Sequence, residues 1–127
     1  MSKLQNLYLG SAGQSLVMAE FLVRGYNVAV PEVDRGDDLF VVHDASGDLS
    51  RIQVKTSTAK ALQQAGAYSA AFLIPLVQLQ TPRTPELTYV LVVRNAKPDR
   101  WSDMIVIRRK DLYLLYSTKK KFGSLSG

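Results

Sequence analysis

Between Pro31 and Lys55 the chain reads PEVDRGDDLFVVHDASGDLSRIQVK, and three of its residues have the chemistry to act together: Asp38, Gln53 and Lys55. Asp38 offers a hard anionic oxygen of the kind Mg²⁺ prefers, and such metals bind through one or two carboxylates plus waters and the oxygens of a phosphate substrate. Gln53 supplies a neutral carbonyl oxygen as a further ligand. Lys55 carries a compact charge on a flexible stem, suited to orienting an attacking water and to stabilising charge that builds on a scissile phosphate. An Asp facing a Lys across a surface hairpin is also commonplace, so the elements that position the three residues decide what they mean.

Leu39 to His43 and Leu49 to Val54 are apolar-rich and β-branched, and Asp44-Ala45-Ser46-Gly47-Asp48 between them is a cluster of turn formers. The pattern predicts an antiparallel hairpin. With the turn centred between Ser46 and Gly47, Asp38 pairs with Lys55, Phe40 with Gln53 and Val42 with Arg51. Asp38, Gln53 and Lys55 then project from one face at pair or diagonal spacings of roughly 5 to 8 Å. On this reading a turn shifted by one residue breaks the arrangement. Asp37 alternates to the face opposite Asp38 and is set aside.

Upstream, Gly10-Ser11-Ala12-Gly13 reads as a loop ending at a cap, and Gln14 to Arg24 as a helix stopped by Gly25. Helical spacing puts Gln14, Val17, Met18, Phe21 and Leu22 on one stripe, so Gln14 opens the inward face. Glu20 lies off that stripe and reads as a solvated helix residue.

A helix ending in Arg24-Gly25-Tyr26, a strand from Asn27 to Pro31, then GDDLFVV and RIQVKTS, resembles the PD-(D/E)xK nuclease superfamily. The likeness is to its small single-domain branch of Holliday-junction-resolvase-like and related endonucleases, and it spans roughly residues 10 to 57. It implies that Asp38 stands for the motif's first acid, Gln53 for its Asp/Glu and Lys55 for its lysine. Gln14, about three turns before Gly25, stands for the glutamate the family carries on its inward helix face. The resemblance further implies a restriction-endonuclease-like core, a Mg²⁺ cofactor that Mn²⁺ can replace, DNA as substrate, and a homodimer that brings two sites to two strands. Gln14 and Gln53 both replace carboxylates, and fewer anionic ligands weaken metal binding. That motivates a second reading, a nuclease-like module that has lost catalysis and binds DNA or a protein partner. A third is a plain α/β domain without a nucleic-acid partner.

At 127 residues the chain is long enough for one core and too short for two, so a single domain over 1–127 is expected, with a basic tail over about 118–127. The absence of cysteine excludes a disulfide framework and thiolate metal sites. No run of apolar residues is long enough for a membrane span, so a cytoplasmic protein is expected. His43, the one histidine, lacks partners for nucleophilic or zinc chemistry and reads as a turn residue. The glycines near residue 10 lack the Lys-Ser/Thr of a Walker loop.

Charge is uneven: residues 94–127 hold nine Lys or Arg against three acids, while residues 1–93 hold seven against eight. The basic C-terminal quarter suits phosphate contacts. Ser11, Thr56, Ser57, Arg108, Arg109 and Lys110 are the candidate nucleic-acid contacts, with Trp101 and Tyr113 available to stack or pack. Residues 59–66 read as a helical turn or loop. Ala70 to Leu79 and Leu87 to Val93 read as two strands that pair, with Phe72 to Val77 as core strand or else a dimer interface. Met104 to Ile107 suggests another strand, and Arg109 to Tyr116 fits neither period. The sum is an α/β fold, a mixed central sheet flanked by helices.

Overall fold

The structure, a computed structural model, describes residues 2–121, without the side chains of Lys120 and Lys121. Its first helix, α1 (Lys3–Val23), is started by Ser2, whose hydroxyl accepts from the Gln5 N–H while the Gln5 side chain accepts from the Ser2 N–H. This reciprocal cap satisfies two groups that a helix start otherwise leaves bare. The expected loop at Gly10 to Gly13 is therefore helical. Gly13 is there because of what lies opposite: a Cβ on it would collide with Thr56 Oγ1 on a neighbouring strand, so the missing side chain lets helix and sheet close up. Gly25, at φ +88°, turns the chain out of the helix as expected.

The strands are β1 (Asn27–Ala29), β2 (Leu39–Val42), β3 (Leu49–Ala61), β4 (Tyr68–Ser69), β5 (Leu87–Asn95) and β6 (Arg100–Arg108), with helices α2 (Leu76–Gln80) and α3 (Arg109–Lys121). They form a mixed sheet in the order β1-β2-β3-β5-β6, with β4 paired to the far end of β3. The β3–β5 pair is parallel and the others antiparallel. This is the α/β architecture expected from the sequence. Two apolar layers cover the sheet. Toward α1, Val17 meets Leu39, Val41, Ile52, Val54, Val90 and Val92. On the other face Leu79, Leu87 and Tyr89 are closed in by Ile74, Leu112 and Tyr113 from the α2 and α3 side.

Several expectations give way here. Leu22 is 55% exposed, because the buried stripe of α1 runs through Gly13 and Val17, with Leu16 rather than Leu22 at its flank. Ala70 to Leu79 is not a strand: Pro75, which lacks an N–H to give to a ladder, caps α2, and Leu73 is 89% exposed. The partners of β5 are β3 and β6 instead. Residues 59–61 continue β3. Arg109 onward is helical, with Leu112 and Tyr113 packed inward and Leu114 and Leu115 exposed, which explains an apolar run that suits no single face. The start of the basic run belongs to α3, and residues 122–127 lie outside the described residues. No helix among the described residues is long and apolar enough to cross a membrane.

Candidate functional site

The hairpin pairs Leu39 with Ile52, Phe40 with Arg51 and Val42 with Leu49. Its turn is therefore centred between Ala45 and Ser46, one residue earlier than expected, and is tied by His43 Nδ1 to Ser46 Oγ at 2.9 Å. Moving the centre by one residue moves every partner by two. A two-residue step returns each paired side chain to its original face, so Gln53 and Lys55 stay together; Asp38 lies just outside the paired residues and its place is set separately.

Asp38 lies just before β2. Its N–H donates to the Ile52 carbonyl at 2.8 Å although Ile52 is already the partner of Leu39, so two residues oppose one, as in a bulge. Its Oδ2 accepts from the Val54 N–H at 2.8 Å. A strand N–H lies in the plane of the sheet, so the Asp38 carboxylate sits along the edge of β3 beyond the end of β2, against the amide that joins Gln53 to Lys55. Burial pushes its carboxyl above the ordinary 3.8, against the pull of the Val54 N–H and the Lys55 ammonium.

Gln53 and Lys55 share the α2 face of β3, beside Tyr89 and Leu91 of β5. Both are half-buried. Among the described residues Gln53 Oε1 is buried without a hydrogen-bond partner. A buried amide oxygen without a donor costs about 1–3 kcal/mol, and Arg51 Nε, Thr56 Oγ1 and Asn95 Oδ1 are likewise buried without a partner. A hard cation is one group that takes such an oxygen, and one carboxylate with one amide oxygen is a donor pair that Mg²⁺ accepts. No three His, Cys, Asp or Glu among the described residues gather around a point that could hold a metal. The amide oxygen would have to serve as a ligand.

Gln14 is half-buried on α1, which covers the opposite face, and no hydrogen bond joins it to Asp38, Gln53 or Lys55 among the described residues. The fold thus ties Asp38 to the backbone amide between Gln53 and Lys55, and leaves Gln14 on the other side of the sheet. Of the nucleic-acid candidates, Ser11 is exposed on α1 rather than in a loop. Thr56 points at α1, with its hydroxyl buried under Gly13 and unavailable to a ligand. Arg109 is also withdrawn: it is 5% exposed, pairs with Glu86 at 2.7 Å and donates to the Leu79 carbonyl. Arg108 is exposed and pairs with Asp111, and Lys110 is exposed. Trp101 packs under Arg94 and Tyr113 stacks on Tyr116. Glu20 pairs with Arg24 in water, as expected. A cleft of about 520 Å³ opens at the edge of β3, lined in part by Asn6, Lys55, Ser57 and Lys60.

Sequence reasoning missed one feature. Asp37, set aside as alternating to the face opposite Asp38, is 5% exposed and bound by two arginines. Alternation gave no signal for it, since it groups Arg51 with Gln53 and Lys55, on the face opposite the one it gives Asp37.

No family model matches the chain, and no curated protein does. Among solved structures it is similar to the bacterial homing endonuclease I-Ssp6803I, with a TM-score of 0.49 and 22% identity over 84% of this chain and 66% of that one.

Proposed function

We propose that this chain is a Mg²⁺-dependent endonuclease that hydrolyses DNA phosphodiester bonds through a QxK variant of the PD-(D/E)xK site. The observation that carries the reading is the unsatisfied Gln53 Oε1 on the residue next to the Val54 amide that holds Asp38, with Lys55 one residue further on. Asp38 and Gln53 would hold the metal, which when bound supplies positive charge to the scissile phosphate and acidifies water. Asp38 is suited to this by its fixed Oδ2, which leaves the other oxygen to bind. Lys55 would orient the attacking water and neutralise charge on the phosphate, and Mn²⁺ would substitute for Mg²⁺. Ser57 and Lys60 in the adjoining cleft, and Lys110 and Arg108 further off, are the cations and hydroxyls offered to the DNA backbone. Cutting two strands calls for two such sites, so the working form is a homodimer.

Purified protein incubated with plasmid, linear and branched DNA, with and without Mg²⁺ or Mn²⁺, tests this. The expected result is metal-dependent cleavage that Lys55→Ala abolishes; its absence refutes the proposal. The donor count favours a second reading, a DNA- or protein-binding module without catalysis, because no three acids, histidines or cysteines gather at one point among the described residues. Calorimetric titration with Mn²⁺ separates the two, since only the enzyme requires metal uptake that depends on Asp38.

A further inference from the structure

The segment that presents Asp38 is held from behind by a polar network that the catalytic reading does not use. Asp34 Oδ1 accepts from the Gly36 N–H at 3.0 Å, which closes a tight turn, and Gly36 adopts φ +90°. Gln78 of α2 donates through Nε2 to the Gly36 carbonyl, and its Oε1 accepts from Tyr89 Oη–H at 3.0 Å. A Cβ on Gly36 would press into that Gln78 amide. Arg83, more than forty residues away in sequence, donates through Nη1 to the Arg35 carbonyl and to Asp37 Oδ1, each at 2.8 Å, and through Nη2 to Asp37 Oδ2 at 3.2 Å. Arg51 of β3 donates to Asp37 Oδ2 at 2.8 Å and to the Thr84 carbonyl at 3.3 Å.

Asp37 is the hub. Its side chain is 3% exposed and both its oxygens already accept from guanidiniums, so it is poorly placed to offer a metal what its neighbour can. A buried carboxylate needs such partners, because an unpaired charge taken out of water is strongly disfavoured. Two guanidiniums also offset its charge, which would otherwise push the Asp38 carboxyl still higher. The network fixes the chain on the residue immediately before Asp38, and Asp38 is then held at two points of β3, the Ile52 carbonyl and the Val54 N–H.

We propose that Asp37 is a positioning residue rather than a spare ligand: clamped by Arg51 and Arg83, it fixes the peptide that aims the Asp38 carboxylate along the edge of β3. In the intact protein this makes loop 81–84 part of the machinery, since Arg83 and the Thr84 carbonyl close the clamp. For catalysis the inference rests on the endonuclease reading; its structural half stands without it.

The test uses the full chain labelled with ¹⁵N, following amide exchange at Val54, which Asp38 holds, and at Val92, which lies in the core of β5. Asp37→Asn is expected to speed exchange at Val54 by about tenfold relative to Val92, as loss of one charge-assisted hydrogen bond requires. A merely structural role speeds both amides equally, and that result overturns the proposal, as does no change at either. Arg83→Lys keeps the cation but loses the two-pronged grip and should fall between wild type and Asp37→Asn, which keeps the question open to test if Asp37→Asn does not fold. In the cleavage assay both variants should lower kcat while leaving KM near its wild-type value. Selective exchange at Val54 in a protein that cuts no DNA would uphold the positioning role and sink the endonuclease reading. Cleavage with unchanged kcat in Asp37→Asn would do the reverse.

Discussion

Gly13→Ala tests the contact that seats α1 on β3. The two glycines of α1 differ in what lies opposite them: a Cβ on exposed Gly10 meets nothing within 4 Å, while a Cβ on buried Gly13 collides with Thr56 Oγ1. Alanine in a helix interior is better than glycine by about 1 kcal/mol. Gly10→Ala should therefore stabilise the protein by about that amount. Gly13→Ala gains the same propensity but forces an extra methyl into a closed contact, and overpacking of that kind costs about 1–3 kcal/mol. Thr56 is β-branched and stiff, so it gives way poorly. The separation between the two variants is then about 1–3 kcal/mol, or about 4 to 11 °C in Tm for a chain of this length. Calorimetric or circular-dichroism melts measure it directly. Thr56→Ala in the Gly13→Ala background removes the colliding atom and should close most of the gap. Gly13→Ala melting within about a degree of Gly10→Ala would refute the reasoning, because it would mean that α1 and β3 are not in the contact described.

Two further outcomes follow from the ionisable groups. The hydrogen bond from Arg109 holds the Glu86 carboxyl below its ordinary 4.5, so that pair stabilises the fold above 4.5 and the contribution is lost as pH falls through the lowered value. Arg109→Met, which also strips the Leu79 carbonyl of its donor, should lose on the order of 2 kcal/mol at neutral pH, a figure reduced for the 29% exposure of the Glu86 side chain, and the deficit should shrink in acid. Chemical denaturation at both pH values checks this; a deficit that does not change with pH contradicts it. Asp38 has the opposite sign. Its carboxyl is raised above 3.8 chiefly by burial, so the ionised group is a cost that appears as pH rises through the raised value. Asp38→Asn, whose amide oxygen can still accept from Val54, should be at least as stable as wild type at neutral pH while losing metal-dependent cleavage, and its advantage should vanish in acid. A large loss of Tm at neutral pH would contradict that account.

The hairpin was legible because its signals are local. A cluster of turn formers between two β-branched runs specifies antiparallel pairing, and period-two alternation keeps Gln53 and Lys55 on one face whatever the turn's centre. That is why a register wrong by one turn residue left those two on one face. The mixed α/β class was legible for the same reason, from strand and helix periods read along the chain. Elements whose surroundings break their own pattern were not: Ala70 to Leu79 looked like strand by composition, and α3 showed no clean stripe because it packs only part of one face.

From its residues alone this protein was bound to carry a carboxylate, an amide and an ammonium near one end of a hairpin, with a basic C-terminal quarter and no cysteine chemistry. Folding decided the rest. Burial depends on which distant segments arrive, so no local period could show that Arg83 and Arg51 converge on Asp37, that Glu86 withdraws Arg109 from the surface, or that Thr56 lies sealed beneath Gly13. The same dependence left Gln14 across the sheet from the residues it was expected to join. It also buried the Gln53 oxygen away from any donor among the described residues, a condition that only the packing of β3 against its neighbours can create.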